Sequence, residues 1–257
     1  MTLLLLTALR AAAGAADRPL AGMEGKKIVL IAGKVSHGAG EHEFRAGCLL
    51  LRDCLERLPG ITAVVYSNGW PTRLEGAKTV DDHAAFHGVS AVFIYADGGG
   101  GHPAIVPERL RILDQLARQG VGIGCAHYAV EVPRGEPGEA MLRWIGGYFE
   151  MHWSVNPHWD GEFVSLPVHP ITRGVAPFKI RDEWYYHMRF PEGMKNVTPI
   201  LTAHPPTNTL QRADGSHSGN PFVRAAIARR EPQHLMWAFE RPGGGRGFGF
   251  TGGHFHR

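Results

Sequence analysis

The sequence predicts an α/β protein on a doubly wound, mostly parallel sheet, and three observations carry that expectation. Short apolar runs alternate with amphipathic helical stretches through the first half of the chain. Each of several runs opens into a loop that carries histidine, mostly beside glycine, which suits the carboxyl edge of a parallel sheet. At 257 residues and 44% hydrophobic, the chain is long enough for one large domain with a buried core.

The elements follow in order. Lys27 to Ala32 (KIVLIA) reads as a fully buried first strand. Phe44, Cys48, Leu51, Leu55 and Leu58 then recur at helical spacing, and Pro59-Gly60 closes that helix. Thr62 to Tyr66 and Ala91 to Ala96 give the second and third strands. Pro107 opens a helix with Leu110, Leu113, Leu116 and Ala117 on one side and Gly120 past its end. Val121 to Ala126 is the fourth strand, so right-handed crossovers generate a parallel sheet. The second half is strand-rich, with Phe149 to Val155, Glu162 to Leu166, Phe178 to Met188 and Leu235 to Phe239 as candidates. Arg246 to Phe250 returns to the main sheet, and Pro205 to Pro221 is a long polar surface loop.

Composition excludes several classes of function. A formal charge of +3 with scattered basic residues offers no phosphate-tracking surface, so no nucleic-acid partner is expected. Three cysteines (Cys48, Cys54, Cys125) fit neither a zinc ribbon nor a disulfide scaffold and read as core thiols. Residues 1–16 pair Leu3–Leu6 with a small-residue stretch ending at Ala16, which reads as a signal peptide of an exported, periplasmic bacterial protein; without it the chain would be cytoplasmic. That run is too short to span a bilayer. The domain proper covers residues 26–257, and a last helix is expected beyond Arg257.

The excess residue is histidine, fifteen in all. His37 follows the first strand, Asp97, Gly98 and His102 the third, His127 and Glu131 the fourth, and His254 and His256 the last; the topology brings these loops to one rim. Period-two alternation places Glu183, Tyr185 and His187 on one face of their strand, opposite Trp184, Tyr186 and Met188. The same rule groups Glu150, His152 and Ser154 opposite Met151, Trp153 and Val155. Carboxylates and imidazoles so placed can share a metal ion or pass a proton. His83, His87, His217 and His234 read as surface or packing residues. The glycines after Asp97 match neither a Walker loop nor a dinucleotide fingerprint, so no nucleotide cofactor is expected.

Together, Ser36-His37-Gly38, His127, Gly146-Gly147-Tyr148-Phe149, His169-Pro170-Ile171, Asp182-Glu183-Trp184-Tyr185 and Thr251-Gly252-Gly253-His254 resemble the ThuA-like (trehalose-utilisation) family. That family lies within the class I glutamine amidotransferase-like superfamily. The resemblance implies a three-layer, flavodoxin-like fold and a role in bacterial carbohydrate metabolism. It implies a small-molecule carbohydrate substrate, a sugar or keto-glycoside, handled by isomerase, lyase or hydrolase chemistry. His127, Glu183, Tyr185 and Glu131 are the expected catalytic groups. Ser36, Asp97, Gly98, His102, His152 and Trp153 are expected to bind substrate, and His37, His187 and His254 a divalent metal such as zinc. Glutaminase activity is not expected: Cys125 sits within a strand two residues before His127, and Ile171 stands where a His-Pro-Glu tail needs its carboxylate. Two competing readings are a non-catalytic sugar-binding or sensor module, stacking sugars on Trp70, Trp153 or Trp159, and a metal-dependent hydrolase of another ester or amide.

Overall fold

The structure is a computed structural model that describes residues 25–256. The segment read as a signal peptide, residues 1–16, lies outside the described residues. The chain runs β1 (Lys26–Ala32), α1 (Phe44–Leu55), β2 (Ile61–Tyr66), β3 (Thr72–Glu75), β4 (Lys78–Asp81), β5 (Val89–Tyr95), α2 (Pro107–Arg118) and β6 (Gly122–Ala126). It continues with α3 (Glu136–Trp144), β7 (His158–Phe163), β8 (Phe178–Glu183), β9 (Val197–Ala203), α4 (Pro221–Ala228), β10 (Gln233–Glu240) and β11 (Arg246–Phe250).

Seven strands form the main sheet in the order β2-β1-β5-β6-β11-β10-β9. The first five of these are parallel neighbours, and β10 and β9 add antiparallel at the end. β1 shows why the parallel strands read as unbroken apolar runs: Val29 and Ile31 pack into the core shared with α2 and α3, while Leu30 and Ala32 pack with Phe44 and Cys48 of α1. Helices thus cover both faces, and the sheet is the middle of three layers. The strand order reverses direction beside β1, which is where such sheets open a crevice at their carboxyl ends. Among the described residues, no helix is long and apolar enough to cross a membrane.

Several expectations need correction. The outer part of α1 does not pack closely: Leu51 is 38% exposed, and Leu50, Leu51 and Leu55 border an open apolar groove of about 840 Å³ over β5, β6 and β11. Cys54 is exposed rather than a core thiol, whereas Cys48 and Cys125 are buried. No strand runs from Phe149 to Val155; the Trp153 and Ser154 N–H groups donate to the Glu150 carbonyl, and His152 takes φ +63°. The strand expected from Phe178 to Met188 ends at Glu183, and the strand expected at Glu162 to Leu166 lies instead at His158–Phe163, paired antiparallel with it. The hairpin β3–β4 and elements α3, β9 and α4 have no counterpart in the sequence reading.

Candidate metal centre

Four segments deliver the site. The turn after β1 ends in Gly40–His42, which pairs antiparallel with the tail after β11: His42 N–H donates to the His254 carbonyl (3.0 Å) and His256 N–H to Gly40 (2.9 Å). This ribbon sets the His42 and His254 side chains together. Asp182, buried at the end of β8, accepts from the N–H groups of Gly253 (2.6 Å), His254 (3.0 Å) and Phe255 (3.3 Å), which fixes the tail and places neighbouring Glu183 beside it. His127 opens the 3₁₀ turn after β6 with φ +51°, a left-handed conformation unusual for a non-glycine residue and found preferentially at functional sites.

These segments bring His42 Nε2, His127 Nε2, His254 Nδ1 and a Glu183 oxygen to one point. His42 Nε2 lies 2.9 Å from His127 Nε2 and 2.8 Å from His254 Nδ1. Glu183 Oε2 lies 3.5 Å from His127 Nε2 and 3.1 Å from His254 Nδ1. Ligands bonded at 2.0–2.1 Å around a tetrahedral ion stand about 3.3 Å apart. The four separations bracket that value.

The outer contacts fit a metal equally well. A ligating imidazole normally donates its other ring N–H to a carbonyl or carboxylate, which fixes the tautomer. His127 Nδ1 donates to the Thr251 carbonyl (2.9 Å), leaving Nε2 bare toward the cluster. His42 Nδ1 faces Asp97 at 3.8 Å, and His254 Nε2 faces Glu41 at 4.0 Å. His42 Nδ1 is also buried without a hydrogen-bond partner, an arrangement that a small closing movement toward Asp97 would satisfy.

Burial, and then the neighbouring imidazoles, push His42 down to about 2, so it stays neutral as a ligand must. Burial works to raise Glu183, but the hydrogen bonds and charges of His127 and His254 outweigh it and hold the carboxyl well below its usual range. Burial lowers His254, and contact with Glu183 more than compensates, so its net shift is upward. The Tyr185 hydroxyl stands 3.2 Å from His127 Nε2, and burial followed by the charge of Glu183 lifts its pKa well above the usual phenol value.

Of the residues singled out in the sequence, His127, Glu183, Tyr185 and His254 come together here. His42, in the same loop as His37, is the ligand that the sequence reading does not single out; its signal is its place two residues before the buried Phe44. His37 is exposed, with its ring tilted over His42 at 3.6 Å between centroids; it is not one of the four, but with His42 and Asp97 it forms an adjoining group that could hold a metal ion. Ser36 is exposed and hydrogen-bonds Asp97 (2.7 Å), so both border the cluster.

Other expected site residues lie elsewhere or do other work. His187 is not with the cluster: φ +58° turns it off the alternation, and its ring stacks on Trp153 with Nδ1 donating to the Trp153 carbonyl (2.9 Å). Trp153 is packed by that ring and by the Arg189 guanidinium 3.5 Å away, and His152 is exposed on its turn. His102 is enclosed, bonded to the Ala129 carbonyl and the Ala104 N–H at 3.1 Å each. Gly98 packs its backbone against Tyr128, where a Cβ would stand 2.1 Å from the Tyr128 carbonyl oxygen. Glu131 is apart from the four ligand atoms and pairs with His217 at 3.0 Å. Cys125 is buried, and burial pushes its thiol far up, which leaves no glutaminase-type nucleophile at this turn.

Comparison with known proteins bears on the fold and the family. A ThuA-like protein from Bacteroides uniformis is similar over 95% of this chain and 87% of its own, with a TM-score of 0.62 at 15% identity. A second, from Parabacteroides merdae, is similar over 90% of this chain and 80% of its own, with a TM-score of 0.51 at 18% identity. At these identities the likeness is one of fold. No curated protein matches the sequence. The model of the ThuA family, described as trehalose utilisation, matches residues 76–257, a span that holds three of the four clustered ligands, and the chain therefore belongs to the ThuA family.

Proposed function

We propose that the chain is a metal-assisted enzyme of carbohydrate catabolism acting on a sugar or keto-glycoside. The observation that carries this reading is the convergence of His42, His127, His254 and Glu183, whose ligand atoms all lie within 4.8 Å of one another, with an outer acceptor facing the second nitrogen of each imidazole. The sugar class comes from the family and not from the geometry.

A carbonyl in a sugar acidifies the adjoining C–H, so isomerisation or elimination needs an electrophile at the oxygen and a proton acceptor at the carbon. When bound, a divalent ion supplies the electrophile as a Lewis acid. His127 is held in one tautomer by Thr251, and Asp182 holds the tail that carries His254, so the donor atoms are oriented before any ligand arrives. Tyr185 keeps its proton and presents an O–H donor at the cluster edge. Burial of all four ligands keeps bulk water from competing.

A purely sugar-binding module is less well supported. Trp70 and Trp159 are 4% and 3% exposed, and Trp153 is already packed by His187 and Arg189, so none of the three offers a bare ring to a sugar. The test is turnover of a 3-keto-disaccharide by the purified protein, with bound metal measured in parallel. About one divalent ion per chain and loss of turnover on chelation are expected. Turnover indifferent to chelation, or no turnover by metal-loaded protein, overturns the reading.

A further inference from the structure

The turn that carries His127 also carries a buried acid that the four ligand atoms do not use. Glu131 is 2% exposed, and its two oxygens accept from His217 Nε2 at 3.0 and 3.1 Å. His217 arrives 86 residues later in the chain, from the segment before α4. It is fixed by His152 N–H to the Ser216 carbonyl (2.7 Å), by Asn156 N–H to the His217 carbonyl (3.0 Å), and by stacking on Phe149 at 5.3 Å. Phe149 in turn meets Tyr185 at 5.3 Å, and the Tyr185 hydroxyl reaches His127. In front of the acid lies Gly99 at φ +55°, where a Cβ would stand 3.3 Å from Glu131 Oε1 and 3.8 Å from the Tyr128 hydroxyl. Glycine there leaves the space between them open.

We propose that His217, seated on Glu131, is the acid–base residue of this site, joined to the clustered ligands through Phe149 and Tyr185. The inference rests on the function proposed above. With an ion held, three imidazoles and Glu183 are committed as ligands, and Tyr185 retains its proton. A proton must still leave one carbon and reach another atom; His37 lies on His42 and His158 stands 3.6 Å from the ligand Glu183, whereas His217 is seated on a buried carboxylate that is not a ligand. Both Glu131 oxygens accept from Nε2, so Nε2 keeps its hydrogen and Nδ1 is the nitrogen that gains and loses one. Nδ1 meets the Ser216 hydroxyl at 2.8 Å, and that contact must yield to substrate.

The groups that face His217 are Glu131 from the turn after β6, Glu183 from the end of β8, and Arg212 and Ser216 from its own segment. Contact with Glu131 raises its pKa first, burial and Arg212 oppose, Glu183 adds to the rise, and the net shift is upward. In the step, neutral Nδ1 takes the proton from the C–H beside the carbonyl. The C–H electron pair becomes a carbon–carbon double bond, and the carbonyl electron pair moves to oxygen as an enolate. The proton then returns to the former carbonyl carbon while the hydroxyl hydrogen on the first carbon passes to the enolate oxygen, so ketone and hydroxyl exchange places and the isomerisation needs no other reactant.

The test is deuterium incorporation from D2O beside the ketone of a 3-keto-disaccharide, by wild type, His217→Gln and Glu131→Gln, with metal content measured on each. We expect metal retained in all three and exchange reduced about 10²- to 10⁴-fold in His217→Gln. Wild-type exchange should rise with pH through the His217 pKa, and in Glu131→Gln that limb should move to lower pH, a shift that a merely structural role would not produce. Exchange by His217→Gln within about twofold of wild type, or an unmoved limb in Glu131→Gln, overturns the inference and leaves the metal reading standing. Metal-loaded wild type that exchanges nothing overturns both.

Discussion

Two sets of buried histidines in this molecule differ in where their nitrogens point. His102 is wholly enclosed, yet both ring nitrogens are bonded to backbone, and burial pushes its pKa down to about 4. His187 likewise spends Nδ1 on a carbonyl and its face on Trp153. In the cluster, each imidazole has an outer acceptor facing one nitrogen and turns the other toward a common point. Burial alone therefore does not mark a functional histidine here. The mark is a set of bare nitrogens facing one another, an arrangement costly to keep unless something binds between them.

The contrast can be broken most forcefully at the cluster. His127→Ala removes one ligand and orphans the Thr251 carbonyl, so divalent-metal affinity should fall at least 100-fold in a chelator competition assay. A drop below tenfold would mean that the converging nitrogens are packing. The matched substitution His102→Ala should leave metal affinity intact but destabilise the fold by about 2–4 kcal/mol in denaturant unfolding, because the Ala129 carbonyl and Ala104 N–H both lose their partner.

A third effect sharpens the contrast through pH. His102 is neutral when folded, and its pKa is depressed from 6.5 to about 4. The unfolded chain binds the extra proton between those values, so stability is fully present above the unfolded pKa and declines as pH falls from about 6.5 to about 4. The loss is about 3 kcal/mol. Unfolding midpoints across that range should show it, and His102→Ala should flatten it. The smallest effect belongs to the outer contacts: Asp97→Asn should weaken metal binding about 10- to 100-fold while leaving stability near wild type.

The parallel half of the fold was legible because strands buried on both faces leave long apolar runs, and Pro107 and Gly120 punctuate the helix between two of them. The second half was less so. The Asp182 side chain serves the tail through three backbone N–H groups, and left-handed φ at His152 and His187 defeats any period-two reading. The same rule did group Glu183 with Tyr185, and both reach His127. His42 was hidden by its loop; only the pairing of Gly40–His42 with His254–His256, across more than 200 residues, turns it inward.

The most direct test of the central claim is the divalent metal bound per chain after dialysis against zinc, for wild type and His42→Ala. The account predicts about one tightly held ion for wild type and none for the variant. A wild-type protein that retains no ion, or a variant that retains it undiminished, would contradict it.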